Sequence, residues 1–172
     1  MKTSAFLPLF LSILIGGCSK PSAEEMFRKG VDAQLAEKYN DAIASYDELI
    51  KTYPDSARTP EAYYAVGMIY QNHFKSYSQA IDAYRQLADK YPTFAKSSNA
   101  LFLVGFIYGN ELKKIDSARA AYQEFLNRYP DSQLAASARF EIANLGKEPG
   151  EILGTQNQTA SKDIGPKKRA KK

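Results

Sequence analysis

A 15-residue pattern occurs three times in the sequence at a constant spacing. The stretch AIASYDELIKTYPDS at 42–56 returns as AIDAYRQLADKYPTF at 80–94 and as ARAAYQEFLNRYPDS at 118–132, each time 38 residues later. Self-similarity at a period of roughly 20–50 residues is typical of stacked repeat architectures. The spacing therefore predicts a stack of similar units rather than a single irregular core.

Each unit contains a second repeated segment, which is also apolar. AYYAVGMIY at 62–70 returns as ALFLVGFIY at 100–108 and, more weakly, as ARFEIANLG at 138–146. In both segments the apolar residues recur at i, i+3 and i+4, which indicates helices, whereas a strand would show strict alternation. The clearest example is the face formed by Ala42, Ile43, Tyr46, Leu49 and Ile50. The sequence predicts an all-α fold built from pairs of helices.

Start and stop signals support the same division. Asn40, Ser78 and Asp116 precede the repeated alanine by two residues, and these residue types favour the N-cap of a helix. Tyr-Pro follows each of these helices, at residues 53–54, 91–92 and 129–130. Proline restricts the residue before it and cannot continue the helical hydrogen bonds. Each unit is thus predicted to read helix, turn, helix, proline.

These residues resemble the core pattern of the tetratricopeptide repeat. The second unit supplies Tyr63, Val66-Gly67, Tyr70, Ala80, Tyr84, Leu87 and Pro92. The third supplies Leu101, Val104-Gly105, Tyr108, Ala118, Tyr122, Phe125 and Pro130, and the first supplies Gly30, Ala33, Ala42, Tyr46, Leu49 and Pro54. The resemblance implies a tetratricopeptide-repeat solenoid of three helical hairpins with a C-terminal capping helix. The expected units are residues 22–56, 57–94 and 95–132, followed by a cap at 133–146.

Small residues and spacing lead to two further expectations. Gly67 and Gly105 allow two helices to approach closely, and the aromatic residues are expected to fill the space between neighbouring hairpins. The period of 38 exceeds the usual ~34 residues. The additional residues are expected to lengthen the link and the opening turn of each first helix.

The beginning of the chain has the pattern of an export signal. A single Lys2 precedes an apolar run that is too short for a bilayer span, which needs ~20 residues. Residues 1–17 are therefore predicted to be a signal peptide. Ile15-Gly16-Gly17-Cys18 resembles the lipobox of bacterial lipoproteins, which implies a diacylglycerol and an N-acyl chain on Cys18. In that family's sorting pattern, Ser19 in place of aspartate implies the outer membrane.

The end of the chain differs from the repeats in charge. Residues 147–172 contain seven Lys or Arg and three Asp or Glu, whereas residues 18–146 contain fifteen and sixteen. The tail is predicted to be disordered because it has few residues to bury. Its basic end GPKKRAKK is open to three interpretations: nucleic-acid binding, contact with anionic lipid or another acidic envelope partner, or no partner at all.

The sequence does not predict a catalytic site or a cofactor. Cys18 and His73 are the only cysteine and histidine, so neither a catalytic triad nor a histidine metal site can be assembled. His73 is interpreted as a surface or packing residue, and no metal is expected.

The predicted function is protein binding. In tetratricopeptide domains the first helix of each hairpin lines the concave side, and stacked hairpins present extended concave surfaces. The candidate groove residues are Tyr64, Met68, Gln71, Asn72, Phe102, Phe106, Asn110, Phe140 and Asn144. Met68 and Phe106 are the favoured exposed positions. The sequence leaves open whether the aromatic residues line a groove or belong to the core. The basic set used to bind a terminal carboxylate is missing.

The lipobox, the long repeats and the Tyr-Pro-Asp-Ser closures together resemble BamD-like outer-membrane lipoproteins. That resemblance implies a periplasmic scaffold with envelope-protein partners in β-barrel assembly. The family usually has about five repeats and this chain has three. A coordinator of the Tol-Pal or peptidoglycan-synthesis type is therefore the alternative.

Overall fold

The computed structural model describes residues 20–147 and 150–151. The predicted signal peptide, Cys18 and most of the basic tail lie outside the described residues. The described segment is helical and contains no strand. Its helices are α1 (Ala23–Leu35), α2 (Tyr39–Thr52), α3 (Arg58–Ile69), α4 (Tyr77–Lys90), α5 (Ser97–Phe106), α6 (Ile115–Arg128) and α7 (Ala135–Asn144). None of these helices combines the length and apolarity needed to cross a bilayer.

The helices form three antiparallel hairpins and a cap. α1 packs on α2, α3 on α4 and α5 on α6, and each second helix also contacts the first helix of the next hairpin. α7 packs on α6 in the position that the first helix of a fourth hairpin would occupy. The predicted all-α repeat architecture is confirmed. Each hairpin buries its apolar face against a neighbour, which a single hairpin cannot do alone.

The second helices begin one residue earlier than the sequence predicts. They start at Tyr39, Tyr77 and Ile115, so Asn40, Ser78 and Asp116 lie inside the first turn and are not N-caps. The N-cap residues are Lys38, Ser76 and Lys114, and none of them caps with its side chain. Each follows a residue with a left-handed backbone: Glu37, Lys75 and Lys113 have φ of 57°, 54° and 54°. This tight turn, rather than a side-chain cap, determines where the helix starts.

The ends of the second helices agree with the sequence. α2, α4 and α6 end at Thr52, Lys90 and Arg128, immediately before each Tyr-Pro pair. A buried hydroxyl supports two of these ends. Thr59 Oγ1 donates to the carbonyl of Tyr53 at 2.5 Å, and Ser97 Oγ donates to the carbonyl of Tyr91 at 2.6 Å.

The repeated glycine and tyrosine pack within one hairpin. A Cβ added at Gly67 would lie 2.4 Å from Cε1 of Tyr84, and one added at Gly105 would lie 2.6 Å from Cδ1 of Tyr122. Gly30 and Tyr46 show the same arrangement at 2.4 Å. The expectation that the aromatic residues fill the space between hairpins is wrong for these three tyrosines, whose rings lie on the glycine of their own hairpin.

Hairpins two and three each contain one residue more than the first. The distance from the conserved-position glycine to the repeated alanine is 12 residues in the first hairpin and 13 in the others. The structure accommodates the extra residue as a π-helical turn at the end of the first helix, at Tyr70–Phe74 and Ile107–Glu111. A one-residue insertion into an α-helix commonly takes this form. The sequence analysis expected added length only in the links and opening turns.

The capping helix ends before the predicted break. α7 stops at Asn144, and Gly146 has a φ of 82°, which a glycine adopts without steric cost. The break was expected at residues 147–150, of which 148–149 lie outside the described residues.

Candidate protein-binding surface

Side chains four residues apart on the first helices share one face of the stack. We call this face the first-helix strip. It contains Phe27, Val31, Leu35, Tyr64, Met68, Asn72, Phe102, Phe106, Asn110, Phe140 and Asn144. Eight of the nine predicted groove residues belong to it, and Gln71 is the exception.

The strip is most open between α1 and α3. A cavity of about 280 Å³ lies there, and Phe27, Val31, Leu35 and Tyr64 contribute to its lining. Leu35 is 79% exposed, the most exposed large apolar side chain among the described residues. An apolar recess beside an exposed leucine is a typical feature of surfaces that bind other proteins.

Tyr64 is held firmly in this part of the strip. Its hydroxyl donates to Asn99 Oδ1 at 2.6 Å, and the Lys96 ammonium lies 4.9 Å from its ring centroid. Partial burial raises the pKa of the Tyr64 hydroxyl, so it remains a hydrogen-bond donor at neutral pH. Because the ring is fixed and one edge faces the cavity, Tyr64 can serve as an ordered contact for a bound chain.

Met68, Gln71 and Asn72 follow on the last turn of α3 and in the π-helical turn. Met68 is partly buried against the second core cluster, and Asn72 is exposed beside it, with Nδ2 4.0 Å from the methionine sulfur. Gln71 Oε1 accepts the hydroxyl of Tyr84 at 2.9 Å. The side-chain carbonyl of Gln71 is therefore used inside the hairpin.

Phe102 contributes to the core of the third hairpin. Its ring centroid lies 5.3 Å from Tyr122 and 5.8 Å from Phe125. Phe106 is partly buried, and Asn110 is exposed and donates to the Phe106 carbonyl at 3.3 Å. The two interpretations left open by the sequence therefore apply to different positions, since Phe102 packs on the core while Asn110 faces solvent.

The strip opens again at the cap. Phe140 is 47% exposed, and Asn144 donates to its carbonyl at 2.8 Å. Together with Asn110 and Lys113 they border a cavity of about 560 Å³ between the end of α5 and α7. This end of the strip combines an exposed ring with amide groups and a cation.

Sequence reasoning missed the part of the strip on the first hairpin. Phe27, Val31 and Leu35 precede Tyr64, Met68 and Asn72 by 37 residues, and one residue fewer is the result of the missing π-helical turn. Aligning the hairpins on Gly30 and Gly67 instead of on a fixed period of 38 identifies these positions.

His73 lies outside the strip. Its ring is exposed and stacks on Tyr39 with the centroids 3.8 Å apart. Within residues 20–147 and 150–151, the structure contains no group of three His, Cys, Asp or Glu side chains placed to hold a metal ion.

Comparison with known proteins gives one family. The model of the tetratricopeptide repeat matches residues 26–56, 61–93 and 99–132. Two solved structures have a similar fold. The tetratricopeptide-repeat domain of Arabidopsis OM64 is 20% identical with a TM-score of 0.53, over 71% of this chain and 94% of that one. A chain of the CopN-Scc3 complex is 20% identical with a TM-score of 0.56, over 83% of this chain and 82% of that one. No curated protein sequence matches significantly.

Proposed function

We propose, from the premise that this chain belongs to the tetratricopeptide-repeat family, that it binds a partner polypeptide along the first-helix strip. Repeats of this family form protein-interaction scaffolds rather than catalytic sites. The observation that carries the proposal is the exposure of Leu35 and Phe140 at the two ends of one continuous strip of apolar side chains.

The geometry favours an extended or helical segment with two apolar anchors. One anchor would enter the recess between α1 and α3, and the other would contact Phe140 beside the 560 Å³ cavity. Aromatic and apolar side chains in such recesses supply most of the binding energy in protein interfaces. The amides of Asn72 and Asn110 lie between the anchors, where they can bond the backbone of the bound segment.

The finer proposal is that this scaffold acts in the bacterial outer membrane, anchored through lipid on Cys18. The support is the apolar leader with its Ile15-Gly16-Gly17-Cys18 pattern and the Tyr-Pro closures shared with BamD-like lipoproteins. Two or more acyl chains anchor a protein stably, whereas one does not. In this role the partners are components or substrates of β-barrel assembly.

A coordinator of the Tol-Pal or peptidoglycan-synthesis type is the second candidate. The observation that favours it is the number of hairpins, three with a cap, which is smaller than the number usual for BamD-like proteins.

Photo-crosslinking in intact cells tests the binding surface. The probe is placed at Leu35, Met68, Phe106 and Phe140, and adducts are identified by mass spectrometry. Adducts with barrel-inserting proteins support β-barrel assembly, whereas adducts with Tol-Pal or cell-wall synthesis proteins establish the coordinator. A probe at Glu48, which is exposed on α2 away from the strip, is the matched control. Equal yields of one adduct at Glu48 and at Leu35 would refute binding along the strip.

Membrane anchoring has its own test. Cys18→Ser removes the thiol that would receive the lipid, so we expect the chain to move from the membrane fraction to the soluble fraction and to lose palmitate labelling. Unchanged fractionation and labelling would contradict the lipid anchor and leave the binding surface unaffected.

A further inference from the structure

The third hairpin is joined to the second by ion pairs on the face opposite the first-helix strip. Arg85 of α4 pairs with Glu124 of α6 at 2.9 Å, and Arg128 of α6 pairs with Asp89 of α4 at 2.7 Å. Arg128 also donates to the carbonyl of Ala88 at 2.5 Å. Two guanidinium groups thus bridge the α4–α6 interface.

The corresponding interface between α2 and α4 has no such bridge among the described residues. Asp47 stands 38 residues before Arg85, and Gln86 stands 38 residues before Glu124, so a carboxylate faces an amide. The nearby cation Lys90 is used elsewhere, since its Nζ donates to Tyr63 Oη at 2.9 Å and to Gln86 Oε1 at 3.2 Å. The α2–α4 interface therefore lacks the arginine that its neighbour contains.

A cavity of about 370 Å³ occupies this interface. Its rim is polar and acidic, with Asp47, Gln79, Asp82 and Gln86. Its floor is apolar and partly aromatic, formed by Ile50, Tyr63, Val66, Tyr70 and Ala83. Neither Asp47 nor Asp82 makes a hydrogen bond or ion pair with another described residue. Partial burial raises the pKa of the Asp47 carboxyl, because no cation compensates its desolvation.

We propose that this cavity binds an arginine of a partner protein, with the guanidinium between Asp47 and Asp82 and an adjacent apolar side chain on the floor. The partner supplies the cation that Arg85 supplies at the next interface. The surface is separate from the first-helix strip, so the protein has two binding faces.

The chemistry of the cavity selects arginine over lysine and over an uncharged side chain. A guanidinium is planar, offers five donors, and can bond two carboxylates at once, whereas an ammonium is a compact point charge. It also stacks on aromatic rings, which Tyr63 and Tyr70 provide. Two partly desolvated carboxylates disfavour an anionic or purely apolar occupant.

Nuclear magnetic resonance on the ¹⁵N-labelled full chain tests the proposal. The probe is acetyl-leucyl-arginine amide, and the matched probe is acetyl-leucyl-citrulline amide, which has the same shape without the charge. We expect the arginine probe to shift the backbone amides of Val66, Ala83 and Gln86 and the citrulline probe to bind about tenfold more weakly, since charge-assisted hydrogen bonds are roughly twice as strong as neutral ones.

Variants locate the effect. Asp47→Asn combined with Asp82→Asn should weaken the arginine probe about tenfold. Asp116→Asn, an exposed carboxylate on α6 outside the cavity, should leave binding unchanged. Equal binding of the two probes, or undiminished binding to the double variant, would overturn the proposal. So would a shift of the same amides on removal of residues 160–172, because the basic tail of the chain itself would then be the occupant.

Discussion

The three tyrosines on the repeated glycines provide a comparison of one substitution at equivalent sites. Tyr46 and Tyr84 donate their hydroxyls to glutamines four residues after the glycine, Gln34 at 3.3 Å and Gln71 at 2.9 Å. At the third site that position is Gly109, and the Tyr122 hydroxyl, although buried, has no hydrogen-bond partner among the described residues. Tyr→Phe should therefore have opposite effects in the second and third hairpins.

The expected magnitudes follow from the cost of hydrogen bonds. Tyr84→Phe removes a hydrogen bond from a fully buried ring, and we expect the free energy of unfolding to fall by about 1 kcal/mol. Tyr122→Phe removes a hydroxyl that has been desolvated without compensation, and such groups cost roughly 1–3 kcal/mol. We expect the free energy of unfolding to rise by about 1 kcal/mol after the ring repacks.

Urea unfolding followed by circular dichroism measures both changes. Repeat arrays can lose two-state behaviour, so the slope of each transition must match that of the parent chain before free energies are compared. Gln71→Ala is the control because it creates in the second hairpin the situation of the third. In that background Tyr84→Phe should cost about 1 kcal/mol less than in the parent chain.

A decrease of about 1 kcal/mol for Tyr122→Phe, equal to that for Tyr84→Phe, would refute the reasoning. It would mean that the Tyr122 hydroxyl has an acceptor of comparable strength outside the described residues or in bound water.

Three further predictions concern packing, the turns and pH. Gly67→Ala should lower the free energy of unfolding by roughly 1–3 kcal/mol, because the new Cβ meets the Tyr84 ring at 2.4 Å. Gly109→Ala, whose Cβ meets its nearest neighbour at 3.3 Å, should change it by less than about 1 kcal/mol in the same urea experiment. Lys113→Val places a β-branched residue at a φ of 54° and should lower the thermal midpoint, whereas Lys113→Gly should not. Burial raises the pKa of Tyr46 to about 12. Its contribution to stability is therefore complete below the ordinary value near 10 and is lost as the pH rises from there toward 12, so urea midpoints should fall over that range and stay constant from pH 7 to pH 9.

The sequence predicts the repeat and its packing well, because the pattern records which residues must be buried. Ala42, Tyr46 and Leu49 recur at the same register in every unit, and all three are buried. The ends of the second helices are also predictable, since proline acts locally. These features depend on the sequence within a few residues and on a single period.

The helix starts and the π-helical turns are not predictable in the same way. Asn40 has the residue type of an N-cap, but the left-handed Glu37 places the start of α2 one residue earlier. The extra residue in hairpins two and three is visible as a count, but the count does not say whether it enters a loop or a helix. Backbone hydrogen bonds decide this: the Ser76 amide bonds the Tyr70 carbonyl at 3.0 Å, across the π-helical turn.

The binding surfaces are harder to predict than the fold for a related reason. A repeat pattern reports what its positions share, whereas recognition depends on where equivalent positions differ. Leu35 and Asn72 occupy one register position, yet only Leu35 presents an exposed apolar side chain to a partner. Asp47 and Arg85 likewise occupy one position, yet Arg85 closes its interface and Asp47 leaves an acidic cavity. Both differences fall on the first hairpin, so partner specificity should be concentrated at the amino-terminal end of the stack, with hairpins two and three acting as its support.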